Sequence, residues 1–188
     1  MTISEHPFFS APDPAGRTDK ENAVYALLEK LNIPFSGLDH DRADTMEICE
    51  HIETRLGAEI CKNLFLCNRQ QTDFYLLLMP GKKVFKTKFL SEQINSSRLS
   101  FGSGEQMEAL LGVSPGSATV FGLMNDSEKR VRLLIDRELT ENEYIGCHPC
   151  VNTAVVKIRV ADLLNVLLPS LGVTPTFVTL PNIFPEEE

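Results

Sequence analysis

Three short segments, far apart in the chain, hold its most polar small-residue chemistry: Lys62-Asn63 opening CKNLFL, Gly116 to Gly122 in PGSATVFG, and His148 with Asn152 in GCHPCVNT. A cation beside an amide, a flexible backbone loop and an imidazole near an amide are groups that can hold an anionic ligand and polarise a carbonyl for hydrolysis. In the loop, Pro115 and Gly116 precede small residues, so successive backbone N–H groups can approach a ligand closely. Neither GxxxxGKS/T nor GxGxxG is present, which argues against nucleoside triphosphate or dinucleotide chemistry. No serine stands in a GxSxG elbow, and no Cys-His-Asn thiol-protease signature occurs. Read singly, the residues are bland: His148 as a hydrogen-bonded structural histidine, Lys62 as a lysine snorkelling from a strand end, the loop as a plain turn.

These groups need a scaffold, and the chain is long enough for one. Its 188 residues are 43% hydrophobic and 23% charged, which suits a single globular domain. Apolar runs such as Tyr75 to Met79 fall far short of the roughly 20 residues that span a bilayer. The N-terminus lacks the basic, apolar and small-residue regions of a secretory signal, so a cytoplasmic location with no membrane partner is expected. Cys49, Cys61, Cys67, Cys147 and Cys150 leave one thiol over under any full pairing, and reduced cysteines are expected. Cys147 and Cys150 bracket His148 like half of a zinc site, but Cys61 and Cys67 are spaced too widely for the other half, and no metal is expected.

The net charge of -8 argues against bulk electrostatic binding of nucleic acid. Much of the excess lies at the ends, in Glu5, Asp13, Asp19 and Glu21 and in Glu186 to Glu188, and the middle of the chain is closer to balance. There, bases cluster at Lys82, Lys83, Lys86 and Lys88 and at Lys129, Arg130 and Arg132. Each cluster reads first as a solvated strand edge or turn, and a shaped RNA docking on one of them stays allowed.

Residues 1–19 are Pro-rich and without periodicity, a flexible arm ahead of a domain over 20–180 and an acidic tail over 181–188. Thr18 or Asp19 caps a helix carrying Val24, Leu27, Leu28 and Leu31, stopped by Asn32 and Pro34. A strand follows over 35–39, then a helix from a Thr45 cap to Gly57. KNLFLCN and FYLLLMP, joined by RQQTD, read as a hairpin of a buried sheet. Helices are expected over 87–94, 104–111 and 161–171, and strands over 118–123, 131–136 and 154–159. Irregular interleaving favours an α+β domain with one mixed, largely antiparallel curved sheet flanked by helices.

The ordered set CKNLFLCNRQQTDFYLLLMPGKK, RLSFGSGEQMEALLGVSPGSATVFGLMND and VRLLIDRELTENEYIGCHPCVNTAVVKI resembles the YbaK/prolyl-tRNA-synthetase-associated (INS-like) family of aminoacyl-tRNA deacylases, in its PrdX-like (ProXp-ala) branch. The resemblance runs over residues 22–180. It implies a trans-editing hydrolase that removes a wrong amino acid, alanine first, from the 3′ end of proline tRNA, without a cofactor. Mischarged tRNA is then the partner, with prolyl-tRNA synthetase as a further one. By the same resemblance, Lys62 engages the terminal phosphate and Asn63 organises the site. The loop from Gly116 through Ser117, Ala118 and Thr119 to Val120 positions the carbonyl, His148 is the site histidine with Asn152 beside it, and Thr45 borders the pocket. Many members end this loop as GxxxP; here Val120 takes the proline's place and leaves φ freer.

Water can attack such an ester if oriented donors meet the charge developing on its carbonyl oxygen. The missing nucleophile therefore suggests that the ribose hydroxyl of the substrate completes the machinery. A synthetase cannot strongly reject an amino acid smaller than its own, so a second sieve that admits alanine and excludes proline has a clear use. Serine or cysteine as the removed amino acid, a non-catalytic tRNA-binding or regulatory module, and a thiol-dependent hydrolase using Cys147 or Cys150 are the alternatives.

Overall fold

A computed structural model of the chain describes residues 2–42 and 46–183. Thr45 and residues 184–188 of the acidic tail lie outside the described residues. The elements run α1 (Asp19–Lys30), β1 (Ser36–Asp39), α2 (Met46–Leu56), β2 (Lys62–Cys67), β3 (Phe74–Met79), α3 (Lys88–Ser91), β4 (Ser100–Phe101), α4 (Gly104–Leu111), β5 (Val131–Asp136), β6 (Tyr144–Cys147), β7 (Ala154–Arg159), α5 (Val160–Asp162), α6 (Leu168–Ser170) and β8 (Thr176–Val178). The α+β class holds, but the strands divide between two sheets, β1-β7-β6 and β4-β2-β3-β5-β8.

The larger sheet is mixed. β2 and β3 form the antiparallel hairpin, from Lys62 opposite Met79 to Cys67 opposite Phe74, while β3–β5 and β5–β8 are parallel. The unbroken apolar run of β3 follows from cover on both faces. Phe74, Leu76 and Leu78 enter the main core, and Tyr75, Leu77 and Met79 enter a second one with Leu90 and Leu99. At the edge, β4 pairs only with Leu66 and Cys67, so the first half of β2 faces open space on that side.

The smaller sheet is antiparallel throughout. A parallel bridge between Ile60 and Gly146 ties it to the larger one, with Cys61 N donating to Gly146 O at 3.0 Å and Gly146 N to Glu59 O at 2.7 Å. This junction sets the start of β2 beside the end of β6, and so brings Lys62 and Asn63 near His148.

Caps explain the ends of the longer helices. Thr18 Oγ1 accepts from Glu21 N at 3.3 Å at the head of α1, and Asn32 takes φ 52° just past its end. Ser103 and Gln106 form a reciprocal capping box on α4, which Gly112 closes in the left-handed conformation. N-terminal residues lie along β1, with Ile3 bridging His40 and Phe8 bridging Gly37.

Three expectations change. Residues 118–123 do not form a strand. Thr119 Oγ1 accepts from Phe121 N at 3.4 Å and starts a 3-10 turn, Val120–Met124, in which Val120, Phe121 and Leu123 are all buried. Gly122 N donates to Thr119 O at 3.1 Å and Asn125 N to Gly122 O at 3.0 Å, so the backbone of the run bonds within the turn and not to a neighbouring strand. The helix expected over 87–94 is helical only at Lys88–Ser91 and ends in turns closed by Asn95 at φ 52°. The last helix contains a widened π stretch, Leu163–Leu167, where Leu168 N donates to Leu163 O. Pro169, lacking an N–H, cannot continue the regular ladder just beyond.

The basic cluster at 82–88 is also not one solvated patch. Lys83 is 1% exposed, its ammonium 2.8 Å from Asp136 Oδ2, 2.7 Å from Glu138 Oε2 and 3.2 Å from Leu180 O. Burial lowers its pKa, but the hydrogen bonds to Asp136 and Glu138 outweigh this and raise it. Removing one partner of a buried pair strands the other charge, so Asp136→Ala is expected to cost about 3–5 kcal/mol of stability in urea unfolding. An unchanged midpoint and slope would show the pair to be dispensable.

Candidate functional site

A cavity of about 450 Å³ opens where the junction, the free edge of β2 and the loop after α4 converge. Lys62, Asn63, Gly116, Ala118 and His148 all line it, so three segments widely separated in sequence share one cleft. Glu50 and Glu53 of α2 form one wall, the buried Phe65 and Met107 also line the cavity, and Lys82, Phe101 and Gly102 stand around the β2 edge.

Lys62 does not simply snorkel outward. Its Nζ donates to the carbonyl of Lys83 at 2.8 Å, and partial burial pushes its pKa below the ordinary lysine value. The carbonyl that holds it belongs to the residue pinned by Asp136 and Glu138, so the fold fixes the ammonium at the cavity wall. Asn63 Nδ2 donates to Cys61 O at 3.1 Å. Its Oδ1 is buried and has no hydrogen-bond partner. An amide acceptor left unpaired in a cavity wall is open to a donor from water or from whatever fills the cavity.

The loop is a type II β-turn. Ser117 N donates to Ser114 O at 3.0 Å, Pro115 takes the second position, and Gly116 takes the third with φ 87°. An added Cβ at Gly116 would lie 3.6 Å from both Arg42 Nη2 and Asn152 Nδ2, so the cost of a side chain there is backbone strain rather than collision. Ser117 and Thr119, expected as binding residues, are buried and do not line the cavity; the Thr119 hydroxyl is occupied as a cap. Val120 is fully buried, so burial and the Thr119 cap fix the end of the loop despite its freer φ. Asn152 stands beside Gly116 but behind the lining.

His148 Nδ1 lies 2.8 Å from Ala154 O. A carbonyl only accepts, so Nδ1 carries the proton and Nε2 of the neutral ring keeps its lone pair. Burial is the main cause lowering the pKa of His148; the Ala154 carbonyl partly opposes it and His40, whose ring centre is 5.8 Å away, adds to it. The imidazole is therefore neutral at pH 7.

The thiols read differently. Cys61 and Cys147 face each other at 3.3 Å, and hydrogen bonding to Cys61 with burial raises the pKa of Cys147 well above the usual thiol value. Burial pushes Cys150 up to about 12. Neither is an activated thiolate, which speaks against the thiol-hydrolase alternative. Among the described residues no three His, Cys, Asp or Glu side chains group as a metal site, and no helix is long and apolar enough to cross a membrane.

Sequence reasoning missed the role of Phe65 and Met107 as cavity walls and of Phe101 at its side. Their apolar type signalled only core or strand, because nothing local reports which side of β2 lacks a neighbour.

Comparison with known proteins gives the family of this domain. Residues 40–166 match the aminoacyl-tRNA editing domain, and the chain belongs to that family of enzymes, hydrolases of the aminoacyl–tRNA ester. It is 31% identical over 145 residues to the prolyl-tRNA editing protein ProX of Acetoanaerobium sticklandii, covering 77% of this chain and 88% of that one. It is 28% identical over 151 residues to prolyl-tRNA synthetase associated domain-containing protein 1 of Danio rerio, covering 79% and 82%. A solved structure described as a candidate trans-editing enzyme for prolyl tRNA synthetase superposes with TM-score 0.65 at 15% identity, over 88% of this chain and 100% of that one, a likeness of fold.

Proposed function

We propose that this protein is a trans-editing deacylase that hydrolyses alanine from mischarged proline tRNA. The observation that carries the reading is the single cleft shared by Lys62, Asn63, Gly116, Ala118 and His148. The names of the relatives support proline tRNA as the nucleic acid.

In this reading Lys62 holds the phosphate of the terminal nucleotide. Asn63 Oδ1, an acceptor without a partner among the described residues, takes a hydrogen bond from the α-ammonium of the substrate. The Ser117 amide closes the turn, so the loop offers its Gly116 and Ala118 amides to the carbonyl oxygen, where donors stabilise the developing charge. Water adds to the carbonyl carbon. The neighbouring ribose hydroxyl gives its own proton to the departing ribose oxygen as it takes one from the water, and His148 Nε2 accepts a hydrogen bond from the water's other O–H. The C–O ester bond breaks, giving free alanine and a tRNA with its terminal diol restored. Thr45 and Asn152 act as bordering residues, and prolyl-tRNA synthetase is the partner that would deliver the substrate.

Because protonation would turn His148 Nε2 from acceptor into donor, kcat/KM is expected to fall as pH drops below about 6.5, toward the lowered pKa of the buried ring. His148→Ala should be slow and lose that acid limb. A full acid limb retained in the variant would assign it to another group.

The function is tested by charging proline tRNA separately with alanine, serine, cysteine and proline and following release of each amino acid by the wild-type protein. Alanine released fastest and proline spared supports the reading. Preference for serine or cysteine would reassign the amino acid, and no release from any of the four would leave a binding module.

A further inference from the structure

Phe101 is 64% exposed, an unusual place for a phenylalanine in a small-residue edge strand. The other exposed large apolar side chains are accounted for or remote: Phe177 lies under Arg137, 5.5 Å from its ring centre, and Phe9 belongs to the N-terminal segment and does not line the cavity. Phe101 does line it. Phe85 supports it from one side in an edge-to-face contact, ring centres 6.3 Å apart, and Phe85 itself packs against the second core. The ring is thus held on a fixed base with much of its surface bare. Exposed Lys82 lines the same cavity, exposed Lys86 follows Phe85, and the Lys62 ammonium stands on the adjoining strand. The acids of the cavity, Glu50 and Glu53, belong to α2, and Lys82 lies close enough to Glu53 to act on its charge.

An open aromatic face among ammonium groups, at the side of a site for an ester, is the combination that binds single-stranded nucleic acid, with bases stacked on the ring and phosphates met by cations. We propose that Phe101, backed by Phe85, is the stacking platform for the terminal adenine of the RNA substrate, with Lys82 and Lys86 meeting the phosphates that lead to it. This deepens the editing reading and rests on it for the identity of the ligand. The platform fixes the last nucleotide so that its ester enters the cavity. Phe101 is a positioning residue, since the ring touches the base and not the reacting atoms.

The test uses the full chain and two RNA minihelices, one ending in CCA and one with an abasic terminal residue, both uncharged for binding and alanylated for kinetics. Base stacking on an aromatic ring is worth enough that Phe101→Ala should raise KM and the dissociation constant for the CCA end by about 5- to 100-fold, with kcat little changed. Phe101→Tyr should restore both, and Phe101→Leu, apolar but without a π face, should not. Wild type and Phe101→Ala should bind the abasic RNA equally weakly. Thermal melting of each variant checks folding, which an exposed ring should scarcely affect.

Equal affinity of wild type and Phe101→Ala for the CCA end, full rescue by leucine, or a loss on abasic RNA that adds to the loss from Phe101→Ala would overturn the proposal. The first of these would leave the exposed ring to a protein partner. Binding of the CCA end that depends on Phe101, without hydrolysis of any aminoacyl ester, would sink the editing function and leave the platform standing.

Discussion

Lys62→Ala is expected to lower kcat/KM for alanyl-tRNA(Pro) by ~10²–10³-fold, within the cost of truncating one partner of a desolvated, hydrogen-bonded charge pair, here the pair with the substrate phosphate. The size follows from how the ammonium is held. One N–H is occupied by the Lys83 carbonyl at 2.8 Å, and Lys83 is itself locked by Asp136 and Glu138, so the remaining donors face a fixed direction. Partial burial means that a substrate phosphate meets a cation already stripped of much of its water. Lys62→Arg should not restore the rate, because a planar fork on a longer side chain cannot place a compact charge at the same point. Single-turnover release of alanine followed from sub-saturating to saturating protein measures the effect, with melting curves to show that the variant folds. A Lys62→Ala protein as fast as wild type would remove the lysine from the site.

The second large effect is a gain. Met107, 8% exposed, and Phe65, 2% exposed, are buried side chains that line the cavity together with Ala118 and Gly116. If the sieve works by size, these side chains fill the room that the proline ring would need. Met107→Ala should therefore raise hydrolysis of cognate prolyl-tRNA(Pro) by about 10- to 200-fold, the range one methylene commands in an apolar pocket. Alanyl-tRNA hydrolysis should change far less. Truncating a buried methionine costs about 2–5 kcal/mol, so the assay belongs at a temperature where the variant is folded. Met107→Leu, which keeps the volume, should leave prolyl-tRNA intact. Failure of every enlargement around the loop to admit proline would mean that selection rests on polar contacts instead.

How much of this was legible in the sequence depends on whether the signal was local. The cap of α1, the hairpin of β2 and β3 and the glycine of the loop after α4 were readable because each is fixed by neighbours a few residues away. The ordered trio of Lys62-Asn63, the Gly116 loop and His148 was readable as a set, and the structure brings these residues to one cleft. The division into two sheets was not, because it depends on the bridge between Ile60 and Gly146, whose partners are far apart in the chain. Lys83 looked like one more solvated lysine beside Lys82. Only the fold shows that its partners, Asp136 and Glu138, arrive from β5 and the turn after it. The reading of 118–123 as a strand failed for a related reason: β-branched and aromatic residues that pack into the core from a 3-10 turn have the same composition as a buried strand.

The chemistry at the centre of the site asks the nucleic acid to supply the group that the protein lacks, and one comparison addresses that directly. Alanyl-tRNA(Pro) ending in ordinary adenosine and the same RNA ending in 2′-deoxyadenosine are given to the wild-type protein under single-turnover conditions. A large drop in rate on the deoxy substrate, with binding nearly unchanged, is the expected result. Equal rates on the two would contradict it and require a base within the protein.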